Sequence, residues 1–520
     1  MTLALKRRAF VAAAGAWGLV RPKRSQAQVP DTRPLVIAVG ADRYSADKQR
    51  FTFTVRGPHA QIAETPVRPD ANFLPAPLLF ERWHVAHGRY RVSLRPGLRF
   101  HDGSPLDADA AIAALRDIGA SRSDFLQIAP LSWRRIDALS FEFASATGSN
   151  LVLENMSHRA VSLFSTATDR AVAPSGTGPY RFVRYEARQR LEVRADAGYW
   201  GTRPRNSQLV FRFVPDAQAR LLALVKGEVD VVADVTPQLL LALMPTMPLQ
   251  LHTSRPVQYV ALLVNANGRP PYARLADPRV RRAVALAIDR ETIARTLFAG
   301  RGVPARGLLP DWMFGLGSHT RGHDLDLAAA GRLLDEAGWR RDVERPEGPR
   351  RRDGQTLRLR LIAAYPNLSS VAPLPEMLEQ MLRKVGIALD IVGIEDDQLY
   401  TARYLNPGEG DLFIEHAGNN SLDPTFLLHN LFHSRTSWRG YRHMAAGSEL
   451  DNALDEARTT SDPVRRLEAV RRAHRQVVDE AVVAIPILLV PQFVLSRAGT
   501  EVPMFEHRDW IDYGAIRVKR

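Results

Sequence analysis

Leu94-Arg-Pro-Gly-Leu-Arg-Phe-His-Asp-Gly-Ser-Pro-Leu-Asp-Ala-Asp109 and Gly176-Thr-Gly-Pro-Tyr-Arg-Phe182 decide the fold of this chain. The first run reads as a strand, a tight turn at Asp102-Gly103 and a helix start at Asp107. The second reads as a glycine-rich turn feeding a strand. Neither has the layout of a catalytic motif. The chain carries no Gly-x-Ser-x-Gly elbow and no His-Glu-x-x-His pair.

Outward from these runs, strands and helices alternate. Leu35–Val39 is a short apolar strand, and Tyr90–Leu94 alternates in the same way. Asp107 caps a helix expected to reach Leu115. Leu209–Val214 is a strand, Pro215-Asp216 opens a helix that stops at Gly227, and Glu228–Val232 is the next strand. Tyr259–Asn265 is another. Asp277 then caps a helix with Pro278 at its first position and Val280, Val284, Ala287 and Ile288 on one face. A helix from Asp326 closes at Gly338 before Trp339. A strand at Leu357–Ala363, a helix around 374–385 and a strand at Ile387–Val392 make one more unit. Pro463 starts the last helix, to about Asp479, and strand material follows from Ala481 to Val494. Strand–helix–strand units of this kind predict an α/β protein whose sheet is covered by helices.

The bulk numbers agree with a large soluble chain. Its 520 residues are 45% apolar and 24% charged, enough for more than one core. There is no cysteine, so no disulfide, thiolate metal site, thiol nucleophile or lipid-bearing cysteine. The formal charge is +14, and the arginines that dominate it are spread along the chain among acids. That pattern reads as a solvated surface rather than a nucleic-acid footprint, and no nucleic-acid partner is expected.

The first 27 residues read as an address. They hold Lys6, Arg7, Arg8, Arg21, Lys23 and Arg24 and no acid. Lys-Arg-Arg-Ala-Phe at 6–10 is followed by an apolar stretch, Val11–Val20, too short to span a membrane. Ser25-Gln-Ala27 then offers a small-x-small cleavage site. The pair Arg7-Arg8 with Phe10 resembles a twin-arginine signal. Export to the periplasm with cleavage after Ala27 is the expectation.

The order and spacing of the two opening runs, with Tyr199-Trp200, Asp277-Pro-Arg-Val-Arg-Arg-Ala-Val-Ala-Leu-Ala-Ile-Asp-Arg290 and Ala337-Gly-Trp339, resemble the bacterial extracellular solute-binding proteins of family 5, the peptide, opine and nickel receptors of ABC importers. The resemblance covers roughly residues 35 to 515. It implies a two-lobed periplasmic binding protein fold of type II, with a small extra subdomain in the first lobe. Lobe I would comprise 28–60, 173–262 and 489–520, the subdomain 61–172, and lobe II 263–488. It implies a monomer that binds without turnover, needs no cofactor and delivers its solute to permease subunits.

The nickel-chelate subgroup is the nearer likeness, through Asp353-Gly354-Gln-Thr-Leu357 and the segment Val392–Arg403. That subgroup holds an anionic chelate with two arginines, an aromatic residue and a histidine that touches the metal. The matching arginines are Arg122, with Phe125 where the subgroup has Trp, and Arg159. Leu422 stands where the subgroup has its cleft Tyr. Peptide receptors carry an Asp three residues before the family's Asp-Pro pair, and here that position, ahead of Asp423-Pro424, is Asn420. His429 and His433, four apart, would share a helix face and are either metal ligands or packing residues. Tyr199 and Trp200 are expected to pack in the core of lobe I.

Overall fold

The computed structural model describes residues 33–40, 61–70, 74–86, 88–126, 131–145, 149–169, 173–268, 270, 273–364, 371–395, 409–418, 423–435, 448–460, 462–503 and 511–518, with the side chains of 121–126 and 237–238 outside that description. No described helix is long and apolar enough to cross a membrane.

The two opening runs touch. The His101 amide donates to Gly176 O at 2.9 Å, and the His101 ring bonds Gly178 O through Nε2 at 2.8 Å. The Asp102 amide donates to Ser175 Oγ at 2.9 Å. The glycines are there because a third segment passes over them. A Cβ on Gly176 would lie 2.1 Å from Ile62 O, and one on Gly178 would lie 2.6 Å from Gln61 O. The paired motifs therefore mark a crossing of three chain segments.

An 11-stranded sheet runs through both lobes. On one side lie Val231–Val232, Leu35–Val39, Gln208–Phe213, Arg190–Ala195 and Tyr180–Glu186. On the other lie Leu412–Gly418, Arg358–Ala364 and Ala388–Ile394. Leu35–Val39 pairs parallel with both of its neighbours and is almost wholly buried, which is why it reads as an unbroken apolar run. Between the two sides run Leu249–Val264 and Ala484–Arg497, antiparallel along their length. The first starts ten residues before the predicted Tyr259, and the second keeps the predicted length but lies three residues further on. Pro256 faces Pro491 across the pair, and the register slips there. Proline donates no hydrogen bond, so the ladder tolerates it only at such an irregularity. The expected lobe boundaries at 262 and 489 fall inside these two strands.

Helices start at aspartate caps, of which Asp107, Asp277 and Asp326 are where the sequence places them. The Asp216, Asp277, Asp326, Asp423 and Asp462 side chains each accept a backbone N–H of the first turn. The helix from Asp107 runs to Leu126 rather than Leu115, and Ile118 continues its buried face. Val280, Val284 and Ile288 sit in the lobe II core with Leu334 and Trp339. Two arginines of the same signature are structural. Arg281 donates to Leu275 O, Ala276 O and Ala481 O, and Arg290 donates to Pro486 O and His323 O. They tie the helix pair to the last long strand and its approach.

The small subdomain is a four-stranded antiparallel sheet, Phe80–Ala86, Arg89–Leu94, Ser140–Ser145 and Leu131–Arg135, backed by the Ala108–Leu126 helix. Its core is aromatic, with Tyr90 stacked on Phe143 at 4.7 Å between ring centroids. Phe426 of lobe II also packs in this core. Ile62, Ala63 and Phe164, at the ends of the segment, pack with the lobe I sheet.

Candidate functional site

Arg159 is placed by a single 3-10 turn, Arg159–Val161. The turn is held at its start by His158 Nδ1, which accepts the Ala160 amide at 3.1 Å, and at its end by Ser162 Oγ donating to Arg159 O at 2.8 Å. The side chain is buried, with 9% exposure, at the wall of a cavity of roughly 800 Å3. That cavity opens between lobe I and the subdomain. Arg68, Arg95, Arg203 and Arg205 also line it, against the acids Glu64, Asp70 and Asp512.

One of these acids is already committed. Glu64 accepts Tyr199 Oη at 2.7 Å, Trp200 Nε1 at 2.9 Å and Thr177 Oγ1 at 3.0 Å. Burial raises its pKa, and the three hydrogen bonds resist that rise. Tyr199 and Trp200, expected in the lobe I core, are instead half-buried on the cavity wall and anchored by Glu64, with Trp200 packed against the subdomain core. The Arg95 guanidinium lies 5.2 Å from the centre of the Trp200 ring while its Nε donates to Leu78 O at 2.6 Å. A cation over an indole face is favourable and fixes the plane of both groups. The wall is thus cationic, planar and preset, which suits carboxylates and other oxyanions. Among the described residues, none of lobe II lines this cavity.

Arg122 and Phe125 lie in the last turns of the Ala108–Leu126 helix, with side chains outside the described residues. Asn420 and Leu422 lie outside the described residues altogether. His429 and His433 do share one face, at the end of the Pro424–Phe432 helix. Their rings stack at 4.3 Å and 20°. Burial, aided by the neighbouring His433, pushes the His429 imidazole down to about 3, so it is neutral at ordinary pH. His433 Nδ1 accepts the Arg435 amide at 3.0 Å, and its Nε2 lies 3.4 Å from Asp455 Oδ1. Ligand-capable atoms of His429, His433 and Asp455 fall within 4.8 Å of one another. Arg458 and Arg435 also pair with Asp455, at 3.2 and 3.5 Å.

Sequence reasoning missed Glu64, Arg68, Arg95 and Asp455. Arg68 and Arg95 carry no local signal in a chain so rich in arginine. Asp455 sits on a separate helix, Glu449–Thr459, where an acid reads as solvated surface. The one available hint was the Tyr199-Trp200 pair, because a buried phenol and indole need acceptors.

A long two-part sheet and a cavity lined by five arginines are the frame of a receptor for small solutes. The chain belongs to the bacterial extracellular solute-binding proteins, family 5, whose family model matches residues 75–438. It is similar to the dipeptide-binding protein of Escherichia coli K12, at 24% identity over 449 residues, covering 78% of this chain and 79% of that one. It is similar also to the nickel-binding periplasmic protein of the same organism, at 24% identity over 460 residues, covering 84% and 85%. Its fold matches the crystal structure of NikA from Brucella suis in complex with Fe(III)-EDTA, with a TM-score of 0.81 at 20% identity, over 94% of this chain and 100% of that chain. The chain is a substrate-binding component of ABC import and not an enzyme.

Proposed function

We propose that this protein captures a small anionic solute, a metal chelate or a peptide- or opine-like carboxylate, and hands it to permease subunits in the inner membrane. The observation that carries this reading is the buried Arg159 at a cavity with four further arginines. Arg122, Phe125, Asn420 and Leu422 are the further residues that the family resemblance assigns to the solute. The protein acts as a monomer in the periplasm. Its residues 1–27 direct export through the twin-arginine machinery and are then removed. Replacing Arg7 and Arg8 with Lys should leave the protein in the cytoplasmic fraction with an uncut leader.

Native mass spectrometry of the protein taken from its own periplasm identifies the solute. Arg159→Gln should weaken that solute by about 1.5–3 kcal/mol, the scale of a hydrogen bond to a charged group, or roughly 10- to 100-fold in Kd. Unchanged affinity would remove Arg159 from the site.

A second reading concerns the metal of a chelate. Its support is the grouping of His429, His433 and Asp455. Two imidazoles and a carboxylate suit nickel, copper or zinc better than calcium or magnesium. Binding would move the His433 proton from Nε2 and displace the guanidinium groups on Asp455. Titration with nickel alone tests it: heat or retained metal lost in His433→Gln supports the reading, and equal uptake by that variant ends it.

A further inference from the structure

The small subdomain and lobe II are linked along the chain only through lobe I, yet they meet at a seam of their own. Glu154 stands in the one-turn helix Val152–Asn155. The Tyr90 hydroxyl fixes that helix by donating to Ser149 O at 3.2 Å and accepting the Val152 amide at 3.3 Å. Across the seam, Arg466 Nη1 lies 3.5 Å from Glu154 Oε1, and Arg466 Nε lies 3.9 Å from Asp423 Oδ2. Asp423 is itself held, because its Oδ1 accepts the Thr425 amide at 2.6 Å as cap of the Pro424–Phe432 helix.

Two further contacts close the same seam. Asn150 donates its amide to Arg458 O at 3.0 Å and its side-chain nitrogen to Thr459 O at 2.5 Å. Phe426 enters the subdomain core with 6% exposure, its ring 5.8 Å from that of His158. Every group at this seam is supplied by the protein. An apolar plug gives such a contact its energy, and a charge set in a half-dry seam gives it register.

We propose that Glu154, Arg466 and Asp423, with Phe426 as the plug, form a latch by which the small subdomain holds lobe II closed in the solute-free protein. The proposal rests on the two-lobed receptor reading. Closure then draws on contacts between the protein's own side chains. Solute binding tips an equilibrium already biased toward the closed form, and the bias sets how readily solute escapes.

The chain has no cysteine, so a pair of spin labels can be placed cleanly. Arg89→Cys on the subdomain and Arg332→Cys on lobe II are both exposed positions. Distances between the labels would be measured by pulsed electron resonance on the solute-free protein. The expected result is one short distance in the parent. A second, longer distance should appear in Arg466→Met, which removes the shared partner of Glu154 and Asp423, and dominate in Phe426→Ala, with melting curves showing that both variants stay folded. A long distance in the solute-free parent that shortens on adding solute would overturn the latch while leaving the receptor reading intact. One unchanged distance in parent and folded variants would overturn the latch as well.

Discussion

At the scale of single residues, close approach and buried ionisable groups decide most. Gly176 has an ordinary backbone angle, and its constraint is the Ile62 carbonyl 2.1 Å from where a Cβ would stand. That neighbour is backbone, pinned by the Gly178 amide at 2.9 Å, so it cannot give way. Gly176→Ala should cost at least about 3 kcal/mol in urea unfolding, near the upper end for overpacking. Gly97→Ala is the control. Gly97 has φ +76° and nothing within 4 Å of its Cβ position, so only backbone strain of roughly 1–2 kcal/mol applies. A larger loss at Gly97 would refute the close-approach account. His474 is the second case. Its Nε2 accepts the Leu308 amide at 2.9 Å, and its Nδ1 bonds His319 Nε2 at 2.8 Å, which in turn leaves His319 Nδ1 to donate to Gly317 O. Burial, and then the His319 ring, push the His474 pKa down to about 3. The folded state therefore favours the neutral ring. Its contribution is complete above the unfolded value of about 6.5 and is lost as pH falls toward 3. Unfolding titrations of the parent and of His474→Gln should converge as pH drops from 6.5, and parallel curves would contradict this.

At the scale of elements, Arg290 shows why a signature can be legible and still be misread. The run Asp277–Arg290 looks like helix pattern plus surface charge. Arg290 is in fact buried and donates to the carbonyls of Ala285, Ile288, His323 and Pro486. Arg290→Met should lose about 3 kcal/mol, since buried carbonyls left without donors cost roughly 1–3 kcal/mol, measured by thermal or urea unfolding. A loss below about 1 kcal/mol would show that water replaces the guanidinium. Caps and apolar stripes were readable because each is settled within a few residues: Asp277-Pro278, Asp326 and Asp462-Pro463 all start helices as expected. The Leu249–Val264 and Ala484–Arg497 pair was readable only in part. Its length comes from partners far apart in sequence, and Pro256 and Pro491 interrupt the local pattern. The candidate site divides the same way. Arg159 could be placed by its position before the Gly-Thr-Gly-Pro turn. Glu64, Asp455 and the Glu154–Arg466 contact could not, because each acquires its role from a residue more than a hundred positions away, or from a separate helix.

At the scale of the whole molecule, the seam gives closure a pH dependence whose sign runs against a simple ion pair. Burial lifts Glu154 to about 7, with Arg466 pulling it down and Asp423 pushing it up, while the Tyr90 phenol faces the same carboxyl. An opened, solvated Glu154 would titrate near the ordinary value of about 4.5. The closed form therefore binds the proton more tightly. Its advantage is complete below about 4.5 and is lost as pH rises through 7, by up to about 1.4 kcal/mol per pH unit. The label-to-label distance should lengthen between pH 5 and 8 in the parent and hold steady in Glu154→Gln; shortening over that range would reject this account. The sheet has a consequence of another kind, for biogenesis. Ala484–Arg497 lies between Leu249–Val264 and Val231–Val232 and pairs antiparallel with both. It is also the last long strand to leave the ribosome. Without it, Val231–Val232 and Leu249–Val264 each lose an antiparallel partner, so a chain truncated before residue 484 should lose the cooperative unfolding transition of the parent.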